Sequence, residues 1–282
     1  MKPPFAILLA GGIALAADPV RLNLAHVDIR ISDDPTATNR ISLKIRDADT
    51  GTRYGLHEAV LEVGESARNE IPPGFEVFGA VGSPLWILPQ SQDPQLLYLG
   101  FSAEGLPTGV FNRDFVVQLV QVDGPGDFFA WQFDLSGELA MAMNSRDGIN
   151  PDDQLVIPSG SHQHFNLGFT SDGLFEVVFR VTYRLAGSDA SIESPDQRVR
   201  FGVIPYQLPA PGEPATLALP RWSDGRFHFQ LLGTAGAFYR IETSRALDRW
   251  ETVHEIQANR SGLADVELPA LQDFEFIRAV PR

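Results

Sequence analysis

"LFEVVFRVTYRL" (174–185) decides the fold class. Phe175, Val177, Phe179, Val181 and Tyr183 alternate with Glu176, Arg180, Thr182 and Arg184, which is the two-residue period of a strand with one face in the core. "FVVQLVQV" (115–122), "ISLKIRDADT" (41–50) and "FHFQLLG" (227–233) repeat the pattern. Turn-forming residues separate such runs: Asp49 to Gly51, Gly124 to Gly126, Asp147-Gly148, Asp172-Gly173 and Asp224-Gly225. Helical periodicity is scarce, and its best candidate is a short turn near 103–108. Many short strands punctuated by Gly, Pro and Asp predict an all-β protein, an antiparallel β-sandwich of immunoglobulin-like or jelly-roll-like kind.

"VIPYQLPAPGEPATLALP" (203–220) holds five prolines, and proline fixes φ and removes a backbone donor, so this stretch cannot continue a central strand. The expected organisation is a large domain at 18–204, a proline-rich linker at 205–216 and a smaller β-sandwich domain at 217–282. Ahead of these, residues 1–17 read as a signal peptide: Lys2, then an apolar run from Phe5 to Ala17, with Ala14 and Ala16 spaced as an A-x-A cleavage signal. The run is short for a bilayer span, so the expectation is an exported chain with no membrane span after cleavage.

The chain of 282 residues carries a net charge of −14, which argues against a sequence-independent grip on nucleic acid or an anionic membrane. It has no cysteine, which excludes disulfides, thiolate metal sites and a cysteine nucleophile. No G-x-S-x-G elbow and no glycine-rich phosphate loop is present.

The chemistry concentrates in "SGSHQHFNLGF" (159–169). In a strand, Phe165, Leu167 and Phe169 form the core face, leaving His162, His164 and Asn166 on the other. Imidazoles two residues apart, with Cα atoms about 6.5–7 Å apart, can converge on one ion. "HVDI" (26–29) has the same geometry, with His26 and Asp28 opposite Val27 and Ile29. Together the two motifs offer three nitrogens and a carboxylate, a set for zinc, or for manganese or iron if waters complete it. Spacing alone equally admits exposed histidines without a ligand. His57, His228 and His254 read as surface residues, and "NSRDGINPDD" (144–153) reads as a turn, since its spacing fails the EF-hand pattern. Trp86, Trp131, Trp222 and Trp250 are packing residues first and a sugar platform second.

"HVDI", "GSPLWILPQSQDPQLLYLG" (82–100), "GPGDFF" (124–129), "NSRDGI" (144–149) and "SGSHQHFNLGFTSDGLFEVVFRV" (159–181) occur in that order. Together, over about 22–204, they resemble the choice-of-anchor M domain, also called the actinobacterial surface-anchored protein domain. The resemblance implies a secreted or surface-attached β-domain without catalytic activity. Genes of that family often accompany metal-type ABC transporters, which implies capture or transfer of a divalent metal ion. It also implies His26, His162 and His164 as recurring polar positions, with Gln90, Gln92 and Asp93 as a second polar loop. "GAFYRIETSRALDRWETV" (236–253) resembles small β-sandwich modules at the ends of secreted bacterial proteins. The competing expectations are a surface adhesion or glycan-binding module, and a metal-dependent hydrolase with Asp28 or Asp93 as acid or base.

Overall fold

The protein is described by a computed structural model covering residues 19–37, 39–112, 114–134, 136–204, 215–223, 225–234, 236–258, 263–269 and 276–282. The signal-peptide expectation for 1–17, and nearly all of the linker expectation, fall outside those residues. Every extended element is a strand, and the helical pieces are single 3₁₀ turns such as Leu56–Glu58 and Ser145–Asp147. The 103–108 stretch forms turns and no helix. Among the described residues, no helix is long and apolar enough to cross a membrane.

Three sheets build the N-terminal part. A long sheet runs in the order Val20–Leu22, Ala59–Val63, Gln197–Val203, Gly173–Arg184, Asp114–Asp123, Gln154–Pro158, with Ser191–Glu193 paired to the Gly173–Arg184 strand. An aromatic sheet runs Leu139–Asn144, Phe128–Phe133, Asn166–Phe169, Pro84–Leu88, Arg68–Glu70. A histidine sheet runs His162–His164, Tyr98–Ser102, His26–Asp33, Ile41–Asp47, Arg53–Tyr54. Ring contacts show how they stack: Phe179 of the long sheet meets Phe101 of the histidine sheet edge-on at 5.8 Å and Phe128 of the aromatic sheet at 6.3 Å. The long sheet is therefore one layer and the other two share the opposite layer, around one core of Val27, Ile29, Phe101, Phe128, Leu167, Phe169 and Phe179. Each such side chain stabilises the fold by about 1.5–3 kcal/mol through burial.

Among the described residues pairing is mostly antiparallel, and three pairs are parallel: Val20–Leu22 with Ala59–Val63, Ala59–Val63 with Gln197–Val203, and His26–Asp33 with Tyr98–Ser102. Long intervening segments make this feasible, because parallel neighbours need a crossover and not a tight hairpin. The "DADTG" segment is the hairpin turn between Ile41–Asp47 and Arg53–Tyr54, closed by Asp47 Oδ1, which accepts from the Asp49 and Thr50 backbone N–H groups. Gly51 supplies its left-handed residue at φ 73°.

Two three-stranded sheets form a second unit: Thr216–Ser223, Arg226–Leu232, Leu263–Pro269, and Glu251–Gln257, Phe238–Ser244, Phe276–Pro281. Phe229, Leu231, Tyr239, Ile241, Val266 and Leu268 are its core. Val60 and Leu174 of the large unit pack with Leu219, Leu232 and Leu263 of the small one. The Arg200 guanidinium bridges Glu176, at 3.2 Å on the neighbouring strand, and Asp265 of the small unit at 3.0 Å. Glu176, which alternation places on the polar face of its strand, is consequently buried.

Candidate metal centre

Strand order alone brings the two histidine motifs together. Tyr98–Ser102 lies between His162–His164 and His26–Asp33, and one row across these strands reads His164, Gly100, Asp28. Register partners share a face. His26, Asp28, His162 and His164 thus project from the outer side of the histidine sheet, while Val27 and Ile29 point into the core. Phe165, Leu167 and Phe169 are buried as well. The strand nonetheless ends at His164: His162–His164 pairs in the histidine sheet, and Asn166–Phe169 in the aromatic sheet. Gln132 Nε2 donates to the His164 carbonyl at 2.7 Å across that break.

The candidate ligand atoms of His26, His162 and His164 all lie within 4.8 Å of one another. The His162 and His164 rings are 4.6 Å apart between centroids, and His26 is 5.2 Å from each. His164 Nδ1 donates to the Leu99 carbonyl at 3.0 Å, and Tyr98 stacks on its ring at 3.6 Å. That bond commits Nδ1, so Nε2 is the nitrogen His164 can present to a ligand. Burial first, then the neighbouring His162 and to a lesser degree His26, push the His164 pKa down to about 4, against the Leu99 hydrogen bond. The ring is therefore neutral at physiological pH, the form that binds metal.

Asp28 Oδ1 lies 2.8 Å from His162 Nε2 and 3.7 Å from His26 Nε2. These short separations lack hydrogen-bond alignment: Asp28 Oδ1, His26 Nε2 and His162 Nε2 are all buried atoms without a hydrogen-bond partner. Buried polar atoms are almost always satisfied, so three such atoms facing one point is a notable exception. Asp28 Oδ2 is 3.5 Å from Arg46 Nη1. The start of the strand is held by His26 N–H donating to Asp49 Oδ2 at 3.0 Å and by Ala48 N–H donating to the His26 carbonyl at 2.7 Å. Burial first, then Arg53 and Arg46, hold the Arg30 guanidinium on the same strand below its ordinary value.

Gly100 makes room for the cluster. A Cβ there would lie 2.5 Å from His162 Nε2 and 2.9 Å from Asp28 Oδ1. Sequence reading passes over Gly100, Tyr98 and Arg46. A glycine inside the apolar strand "LYLGFS" is a signal that something approaches the backbone closely, although it does not say what.

The other singled-out residues sit elsewhere. Gln90 is tied into structure: its N–H donates to Asn166 Oδ1, and its Oε1 accepts from Asn166 Nδ2 at 2.8 Å and from the Phe133 N–H at 3.1 Å. Gln92 and Asp93 lie in an exposed turn, where Asp93 Oδ1 accepts from the Gln95 N–H. His57 is exposed in its 3₁₀ turn and His254 is exposed on its strand. His228, expected to face solvent, is partly buried with its Nε2 unpartnered, because it lies near the junction of the two units. The 144–153 segment is a self-bonded turn, with Asp153 accepting from the Asn144 and Asn150 N–H groups. Trp86 and Trp131 are buried, Arg278 covers the Trp250 ring at 4.0 Å, and Trp222 is 58% exposed.

No protein-family model matches this chain, and no curated protein matches it in sequence.

Proposed function

We propose that the chain is an exported, non-enzymatic binding protein that holds a divalent metal ion through His26, His162 and His164, with Asp28 as fourth donor. Capture or transfer of the ion, in company with a metal-type ABC transporter or another cell-surface component, is the role that the resemblance to choice-of-anchor M domains supports. The observation that carries the reading is the convergence of three buried, unpartnered atoms, His26 Nε2, His162 Nε2 and Asp28 Oδ1. A cation supplies the missing partner for all three at once. Nitrogens sharing one zinc ion at about 2.1 Å stand roughly 3.4 Å apart, so atoms lying within 4.8 Å of one another need at most about 1.4 Å of contraction. Three imidazoles favour zinc over manganese, which prefers oxygen donors. Hydrolysis is the weaker reading, because the carboxylate at the centre is itself a donor and the Asp93 carboxylate is engaged in its own turn.

Elemental analysis of the purified protein tests this. The expected result is about one zinc per chain, lost in the double variant His162→Ala, His164→Ala. Unchanged zinc in that variant overturns the reading.

A further inference from the structure

The chain as a whole is acidic, with 22 Lys and Arg against 36 Asp and Glu, yet the outer face of the histidine sheet is basic. Arg46 is the register partner of Asp28, Lys44 of Arg30, and Arg53 of Arg46. Arg30, Lys44, Arg46 and Arg53 therefore share the face that carries the three histidines. Two of these pairings, Arg30 with Lys44 and Arg46 with Arg53, set like charges directly opposite, which destabilises a sheet.

Nearby acids offset this charge only in part, Asp34 beside Lys44 among them. Asp28 meets Arg46 at 3.5 Å, a loose contact for an Arg–carboxylate pair. Arg30 donates Nη2 to the Glu104 backbone carbonyl at 2.7 Å, and the Glu104 and Asp28 charges also act on it. Among the described residues, neither Lys44 nor Arg53 makes an ion pair. A divalent ion at the histidines adds two further charges and Asp28 removes one, so the loaded face is more positive still. His26 and His162 retain 26% and 22% side-chain exposure, so the cluster can be reached from solvent on this face.

We propose that the centre takes its metal ion together with an oxyanion, a phosphate or carboxylate group held jointly by the ion and the arginines beside it. The proposal rests on the metal reading above. Zinc accepts a fifth ligand, and the guanidinium fork matches phosphate and carboxylate oxygens. The cargo is then a metal bound to an anionic ligand, and affinity for each component depends on the other.

Calorimetry on the full chain, loaded with zinc and freed of excess ion, tests the proposal with inorganic phosphate in one arm and acetate in the other. At least one anion is expected to bind the zinc-loaded protein more than about tenfold tighter than the zinc-free protein. Arg30→Gln with Arg53→Gln should weaken that binding by about tenfold, with zinc content unchanged. Equal affinity with and without zinc, equal affinity in the variant, or no anion binding to the zinc-loaded chain overturns the proposal and leaves the metal reading standing. A chain that binds no zinc overturns both. If the double variant does not fold, Arg53→Gln alone is read in the same way.

Discussion

Asp28 in the histidine sheet and Glu176 in the long sheet each retain 1% of their surface exposure. Glu176 lies between guanidinium groups, Arg200 at 3.2 Å and Arg198 at 3.5 Å, and Arg200 continues to Asp265 of the small unit. Its charge is compensated by cations built into the chain. Asp28 has one loose arginine contact at 3.5 Å, and its Oδ1 faces imidazole nitrogens that themselves lack partners. A buried carboxylate is costly unless paired and hydrogen-bonded. The Glu176 arrangement is complete and joins two units, whereas Asp28 meets Arg46 through Oδ2 and turns Oδ1 to the imidazoles.

The largest expected effect separates the two regions directly. Zinc at about a thousandfold over its dissociation constant should stabilise the protein by about 4 kcal/mol, read by calorimetric melting with and without a chelator. His162→Ala with His164→Ala should remove that increment, while Arg200→Met should leave it intact. If zinc stabilises the histidine variant equally, the contrast between the carboxylates has no functional content.

Next, Arg200→Met should cost about 3 kcal/mol in denaturant unfolding, because it strips a cation from a buried carboxylate. Glu176→Gln in the same background should recover part of the loss, since a neutral amide no longer needs the guanidinium. A loss below about 0.5 kcal/mol, the level of an ordinary surface substitution, would place this network with weak surface pairs.

Smaller effects belong to the metal centre alone. Asp28→Asn should lower zinc affinity by about 10–100-fold in a zinc titration. Gly100→Ala should weaken zinc by at least about tenfold in the same titration, since the added methyl would lie 2.5 Å from His162 Nε2. Retained affinity in Gly100→Ala would mean that the ion does not sit over that row.

A pH dependence is expected as well. His164 is held down to about 4 against an ordinary 6.5, so between those values the unfolded chain binds more protons than the folded one. Stability of the metal-free protein should therefore rise with pH across that window and level off above it. His164→Gln should flatten the rise in a series of denaturant melts.

Much of this was legible beforehand, for identifiable reasons. The alternation of Phe175, Val177 and Phe179 yields the all-β class because strand side chains alternate strictly across the sheet. The same parity separates His26 and Asp28 from Val27 and Ile29, and His162 and His164 from Phe165 and Leu167. It also misled at Glu176 and Asn166. Both occupy the polar phase of their strands, yet both are buried and bonded, because a second unit covers the former and the Gln90 loop the latter. Periodicity reports which residues share a side, not what lies against that side.

From its sequence alone, this protein is an assembly of short amphipathic strands whose histidines and Asp28 lie on the non-core phase, since side-chain direction follows from local backbone geometry. Tertiary structure decided that strands 60 or more residues apart become neighbours through Tyr98–Ser102, with Gly100 opening the row between them. It also decided that the chain changes sheets at Phe165 and that Glu176 has guanidinium partners where Asp28 has imidazoles. Strand order depends on core packing and loop closure summed over the whole chain, and no local pattern encodes that sum.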